Sequence, residues 1–512
     1  PVSWWGVALR LRGSSPLRRG HRSIIGLAEY LPPDDPRSQV PASRVLLTLV
    51  RNVLISREPI YGVGEWAQGF APDVLNLWPG EVALLHDDRL GICLDRLFAV
   101  AGPGLILAVV RQVVREFDVR LDELHNDSTT VTFHGTYDDA EEEGQQGGRP
   151  THAITWGHNK DHRPDLKQLL YILTVSDDGG VPVYFQSASG NVVDDQTHRE
   201  TWDLLCELTG RKDFLYVADC KLATKDNMNY IAGRGGRFVS VLPGSRKEDT
   251  EFRQQLREGQ ASWRLVREVI EEQGEERVVV DRLSIWRDEQ VSAEGYRLLW
   301  FHSTRKVDRD RAARARQTRR TLRELRQLRD RLQSPKTRFR QREQVEQAVQ
   351  KILDERRPGD WLTVEIQEQQ QVKYRQKRRG RPTADTPYVK QVSLRYTLTW
   401  HIDALQLAEE EATDGVFPLI SNVGQMSAEE LLDAYKRQPV IEKRFSQLKT
   451  DFAVAPVYLK KVTRIQGLLA IYFFVLLIQA LLERELRRAM ERAQIKAVPI
   501  YPEGRPCACL LY

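Results

Sequence analysis

Three acidic residues, Asp127, Asp219 and Glu442, supply the side chains that a two-metal phosphoryl-transfer centre requires. Mg²⁺ is a hard cation that takes oxygen ligands in octahedral geometry, and it keeps water and phosphate oxygens in its shell. Two such ions, about 3.5 to 4 Å apart, activate an attacking oxygen and stabilise a leaving one. Attack by water nicks a nucleic-acid strand, and attack by a 3′-hydroxyl at the same place joins one. One set of carboxylates therefore serves both reactions.

The elements around these acids explain why they can meet. Asp127 lies in Leu124 to His134, whose Thr, Val and Phe content with partial alternation reads as a strand. Asp219 closes Phe214 to Asp219, a short apolar run expected to be a buried strand with its acid at the carboxyl end. Between them, Leu169 to Val175 and Val181 to Gln186 read as strands joined by Asp177-Asp-Gly-Gly180, a hairpin signal. Asp195 opens a helical stretch with Trp202, Leu205 and Cys206 on one face. Thr224 to Ala232 reads as a short helix and Arg237 to Leu242 as a further strand. Three antiparallel strands, helix, strand, helix, strand is the ribonuclease H-like order, which lays the first strand beside the tip of the fourth.

Near the carboxyl end, Tyr435-Lys-Arg-Gln-Pro-Val-Ile-Glu-Lys-Arg-Phe-Ser-Gln-Leu-Lys449 places Tyr435, Glu442 and Lys449 in the spacing of the YREK signature. With the strand order, this segment resembles the DDE insertion-sequence transposases of the IS-four superfamily across most of the chain. Gln438 stands where the signature has arginine, with Arg437 one residue earlier. The resemblance implies that Asp127, Asp219 and Glu442 are the catalytic, metal-binding acids, and that Tyr435, Arg437 and Lys449 contact DNA. It implies two Mg²⁺ ions (Mn²⁺ substituting), double-stranded DNA partners in the element's terminal inverted repeats and its target, and a homodimer in the synaptic complex. Its expected place is the cytoplasm of a prokaryote, with the nucleoid and without a membrane. A nuclease of this fold that cuts without joining, and an inactive, domesticated DNA-binding remnant, remain alternatives. The spacing has its own sense: Glu442 and Lys449, seven apart, project from one helical face, and Pro439 suits the helix's first turn, with Tyr435 in the preceding segment.

Asp161 and Asp165, in His158 to Gln168, rival Asp127 as the first acid; Arg163-Pro164 marks loop there, which favours Asp127. Lys160 and Arg163 give this loop a basic character suited to phosphate, although an ordinary polar loop explains it equally well. His158 and His162 lack a second His/Cys pair at zinc spacing.

The separation of Asp219 from Glu442 exceeds what a bare ribonuclease H fold needs, so an insertion domain is expected. Residues 1–115 read as an N-terminal helical region that the resemblance assigns to end-DNA binding, packing or dimerisation being an equal reading. Residues 116–255 are the first part of the core, 256–415 the insertion, 416–490 the second part with the catalytic helix, and 491–512 an irregular tail. The fold class is α/β: a ribonuclease H-like mixed sheet interrupted by an insertion of strands and an Arg-rich helical arm. That arm, 305–356, has a stripe of Leu322, Leu325, Leu328 and Leu332, with Pro335 dividing it into two helices. Beyond it, Lys377 to Pro382 resembles an AT-hook core, so Arg378, Arg379 and Arg381 are candidate DNA contacts on an exposed loop between two strands.

The 512 residues carry a formal charge of +5 with pI near 8.8, so affinity for nucleic acid must come from local clusters. Five scattered cysteines fit a reducing compartment better than a disulfide framework. The apolar run Gly467 to Leu482 is short for a membrane span and reads as a buried helix.

Overall fold

The computed structural model describes residues 26–140, 142–260, 262–273, 276–455 and 457–495, and the backbone of 498–499 and 506–507. The first 25 residues of the N-terminal region, and most of the tail, lie outside the described residues. Two compact units emerge: 1–243 with 293–297 and 420–512, and 244–292 with 298–419.

The first unit begins with helices α1 (Ala42–Ile55), α2 (Asp87–Val100) and α3 (Pro103–Phe117). Its sheet comprises β1 (Glu123–Phe133), β2 (Lys167–Ser176), β3 (Pro182–Ser189), β4 (Leu215–Ala218) and β5 (Arg237–Val241), ordered β3-β2-β1-β4-β5. The first three strands are antiparallel neighbours, whereas β1 and β4 pair in parallel, as do β4 and β5. Helices α4 (His198–Thr209) and α5 (Lys225–Ala232, capped by the Thr224 hydroxyl) make the crossovers. This is the ribonuclease H-like layout. Burial on both faces follows, and it accounts for the near-continuous apolar character of β2 and β4.

The second unit opens with α6 (Lys247–Arg257) and contains β6 (Trp263–Gln273), β7 (Glu276–Trp286), β8 (Arg297–Ser303), α7 (Thr304–Gln333), α8 (Arg342–Arg356), β9 (Leu362–Gln376), β10 (Tyr388–Ile402) and β11 (Val416–Ser421). Sequence placed the insertion at 256–415; the compact unit starts at 244 and closes at 419, with 293–297 returned to the first unit. Phe252 on α6 explains the earlier start, because its ring stacks on Trp300 (3.9 Å between centroids) and meets Trp263 and Trp286 edge-on. Leu325, Leu328 and Leu332 of α7 form a core with Val345, Val349 and Ile352 of α8 and with Trp361, Leu362, Tyr396 and Leu398. The leucine stripe is thus the buried seam of a helical hairpin on a two-stranded ribbon. The ribbon pairs in register from Leu362↔Ile402 to Gln376↔Tyr388, and the basic loop 377–387 is its exposed tip.

The remaining helices, α9 (Ala428–Lys436), α10 (Pro439–Ser446) and α11 (Val462–Arg492), return to the first unit. The core of α11 is long and apolar enough to cross a membrane, yet 83% of its most apolar stretch is buried inside the protein. It packs on α1, α2 and β3. At Gly467 a side-chain carbon would stand 2.5 Å from the Leu94 carbonyl, so glycine is what lets α2 approach. Thr463 and Arg464 both bond Asp95 of α2, at 2.6 and 3.0 Å.

Candidate active site

Every residue of β1 is buried except Asp127, which is partly open. The parallel register pairs Asn126 with Ala218, so the residues that follow, Asp127 and Asp219, stand side by side at the crevice beyond the end of β4. Burial raises the Asp127 carboxyl to about 6; the charge of Lys160 opposes that rise and the charge of Asp219 adds to it. A turn after β4 holds Asp219, whose Oδ1 accepts the Lys221 N–H at 2.9 Å while its carbonyl accepts the Ser240 hydroxyl at 2.6 Å.

Glu442 sits exposed in the first turn of α10, which begins at Pro439 as the spacing predicted. Tyr435 lies in the segment ahead of that helix, as expected, and this segment is the last turn of α9; Arg437 and Gln438 keep helical geometry before Pro439. Burial lifts the Tyr435 phenol to about 12, assisted by the charges of Asp219, Cys220, Glu442 and Asp127. One side chain therefore senses all three acids.

Arg437 points inward. Its Nε donates to Glu123 Oε1 at 2.7 Å and its Nη2 to Oε2. Burial alone would raise the Glu123 carboxyl, but hydrogen bonds from Arg437 and His125 hold it at about 2. Gln438, at the signature's arginine position, places Oε1 2.9 Å from His125 Nδ1 and donates to the Asn126 carbonyl at 3.3 Å. His125 Nε2 lies 2.8 Å from Glu123 Oε1. Arg437 and Gln438 together brace β1 from Glu123 to Asn126, the residue before Asp127.

Sequence reasoning missed the clamp behind Glu442. Arg444 is buried; it donates to the carbonyls of Gly179 and Gly180 at 2.8 Å each, to Gln447 at 2.7 Å and to Glu483 of α11 at 3.0 Å. Lys443 and Gln447 bind the same Glu483 carboxylate. Gly180 has φ +64°, and a side chain there would press within 2.4 Å of Val440. The Asp-Asp-Gly-Gly turn was legible as a hairpin, but its second use as a seat for α10 had no local signal.

Lys449 lies on a π turn, Gln447–Asp451, that continues α10, and its Nζ donates to Asp161 Oδ1 at 2.6 Å. Lys160 Nζ donates to the Ser128 carbonyl and hydroxyl, both at 2.7 Å, and stands 3.4 Å from Asp127 Oδ1. Arg163 pairs with Asp165 at 2.7 Å on the surface. Arg378, Arg379 and Arg381 belong to the second unit and are exposed.

Two carboxylates fixed side by side, one pushed up in part by the other, form a donor set that suits a hard divalent cation. Among the described residues, the only trio of ligand atoms all within 4.8 Å of one another is His86, Asp87 and Asp88, exposed at the start of α2, so Asp127, Asp219 and Glu442 are not all drawn that close together.

The profile of the family described as "Transposase DDE domain" matches residues 122–478. No curated protein matches the chain. A solved structure titled "Mos1 transposase paired-end complex with left transposon end" overlaps 48% of this chain and 67% of its own at 7% identity, with a TM-score of 0.16, too slight a likeness to add weight. The match spans well over half of the sequence, and it begins just ahead of β1 and ends within α11, so that Asp127, Asp219 and Glu442 all fall inside it: the chain belongs to the transposases with a DDE domain.

Proposed function

We propose that this transposase cleaves DNA at the ends of an insertion sequence and joins those ends to target DNA, with Asp127, Asp219 and Glu442 as its metal-binding acids. The observation that carries this reading is the parallel pairing of β1 with β4, which ends at Asn126↔Ala218 and so sets Asp127 beside Asp219. When bound, two Mg²⁺ ions, or Mn²⁺ in their place, would supply Lewis acidity at the attacking and leaving oxygens. The chain's own residues do the rest. Asp127 and Asp219 hold their carboxylates on a rigid sheet, the Arg444 clamp fixes the helix that carries Glu442, and the Tyr435 hydroxyl and Lys449 ammonium orient the DNA backbone. Arg378, Arg379 and Arg381 add phosphate contacts from the ribbon tip. Terminal inverted repeats and target duplex are the substrates, a homodimer brings two ends together, and the prokaryotic cytoplasm is the setting.

The test is Mg²⁺-dependent cleavage of a supercoiled plasmid carrying the element's ends, followed by joining of labelled ends. The wild type should do both, and Asp219→Ala should lose at least about a thousandfold in cleavage, the scale on which a lost charge-stabilising group is felt. Cleavage without joining would identify a nuclease. Binding without cleavage by the wild type would identify a remnant.

A further inference from the structure

We propose that the loop 157–166 is a two-point latch, in which Lys160 lies against the metal-binding face of Asp127 and Asp161 occupies Lys449, so that cation and phosphate must displace the same loop.

This rests on the reading of Asp127 and Asp219 as metal ligands. The first point is the Lys160 ammonium, 3.4 Å from Asp127 Oδ1 and fixed at 2.7 Å by the Ser128 carbonyl and hydroxyl. It places a positive charge beside the carboxylate that a divalent ion would engage. The second is Asp161, whose Oδ1 accepts from Lys449 at 2.6 Å while its Oδ2 faces the Thr130 hydroxyl at 3.4 Å. Consecutive residues of opposite charge thus cover one acid and one base of the centre.

The loop is compact. Asn159 Oδ1 accepts the N–H groups of Asp161 and Arg163 at 2.8 and 3.2 Å, folding 159–163 into an Asx turn, and His162 adopts φ +58°. Its base is pinned: Gln168 Nε2 donates to the Gly190 and His158 carbonyls, and at Gly157 a side-chain carbon would fall 1.9 Å from the Gly190 carbonyl oxygen. Release of the two contacts therefore requires rearrangement within 159–163 itself. A cation at Asp127 repels Lys160, a phosphate at Lys449 replaces Asp161, and either event weakens the other point, which couples the two ligands. The apparent affinity of each is reduced by the fraction of molecules that are latched.

The experiment is calorimetric titration of Mn²⁺ into the full chain without DNA, comparing wild type with Lys160→Met and Asp161→Asn. Lys160→Met should bind about tenfold tighter, the effect of relieving one charge pair near the surface. Asp161→Asn should tighten binding several-fold, although residue 161 bonds neither aspartate. In the wild type, hydrogen exchange at 159–163 should accelerate when Mn²⁺ binds. Equal or weaker binding by both variants, or unchanged exchange, would overturn the latch. Asp219→Ala separates the two layers: Mn²⁺ binding that survives it sinks the metal reading, whereas Asp219-dependent binding that neither variant tightens sinks the latch alone.

Discussion

A carboxylate that titrates near 6 responds to pH in the opposite sense to one that titrates near 2, and β1 carries both. Asp127 is raised from the ordinary range near 4, so between about pH 4 and 6 the folded chain keeps a proton that the unfolded chain has released. Stability therefore falls as pH rises through that window, by about 1.4 kcal/mol for each pH unit and up to about 3 kcal/mol across it. Glu123 is depressed, so its stabilising contribution is complete above about pH 4.3 and is lost as pH falls toward 2. Melting temperatures of the metal-free protein from pH 4 to 7 should decline relative to those of Asp127→Asn; parallel curves would refute the assignment. Divalent-ion affinity should drop about tenfold for each unit below pH 6, because ion and proton compete for one carboxylate. Titrating the protein with Mn²⁺ at pH 5, 6 and 7 measures this. The strands that carry Asp127 and end at Asp219 were readable from side-chain pattern. The surroundings were not: Lys160 and Arg437 are basic residues that composition offers to phosphate, and only tertiary placement shows them committed to Asp127 and Glu123.

At the scale of elements, the helix that carries Glu442 depends on its fastening. Removing one partner of a buried ion pair typically costs about 3–5 kcal/mol, so Arg444→Met should destabilise the protein by that amount in chemical denaturation. A loss below about 1 kcal/mol would show that α10 is held by packing alone. The ribbon tip makes a different prediction. If Arg378, Arg379 and Arg381 each neutralise one phosphate, their joint replacement by alanine should flatten the dependence of log affinity on log salt by about 0.9 per arginine. Filter binding at several salt concentrations decides it, and an unchanged slope would remove the tip from the DNA interface. Strands, hairpin turns and the break near Pro335 were legible because turn chemistry and side-chain period are local signals; α7 ends at Gln333 and α8 resumes at Arg342. The start of the insertion was not, because α6 is assigned by the stacking of Phe252 on tryptophans far along the chain.

For the molecule as a whole, the division into two compact units predicts that they unfold separately. Calorimetry should resolve two transitions, and Leu328→Ala, inside the helical hairpin's seam, should lower one and leave the other in place. A single transition in both proteins would mean that the units cooperate. The apolar helix α11 was read from sequence as buried, and its partners are α1, α2 and β3. The same chain order sets a timetable during synthesis. Asp127 and Asp219 leave the ribosome early, and at roughly 5–20 residues per second the stretch to Glu442 needs about 10 to 45 s more. A nascent chain therefore spends that interval with two of the three proposed acids made and the third still to come.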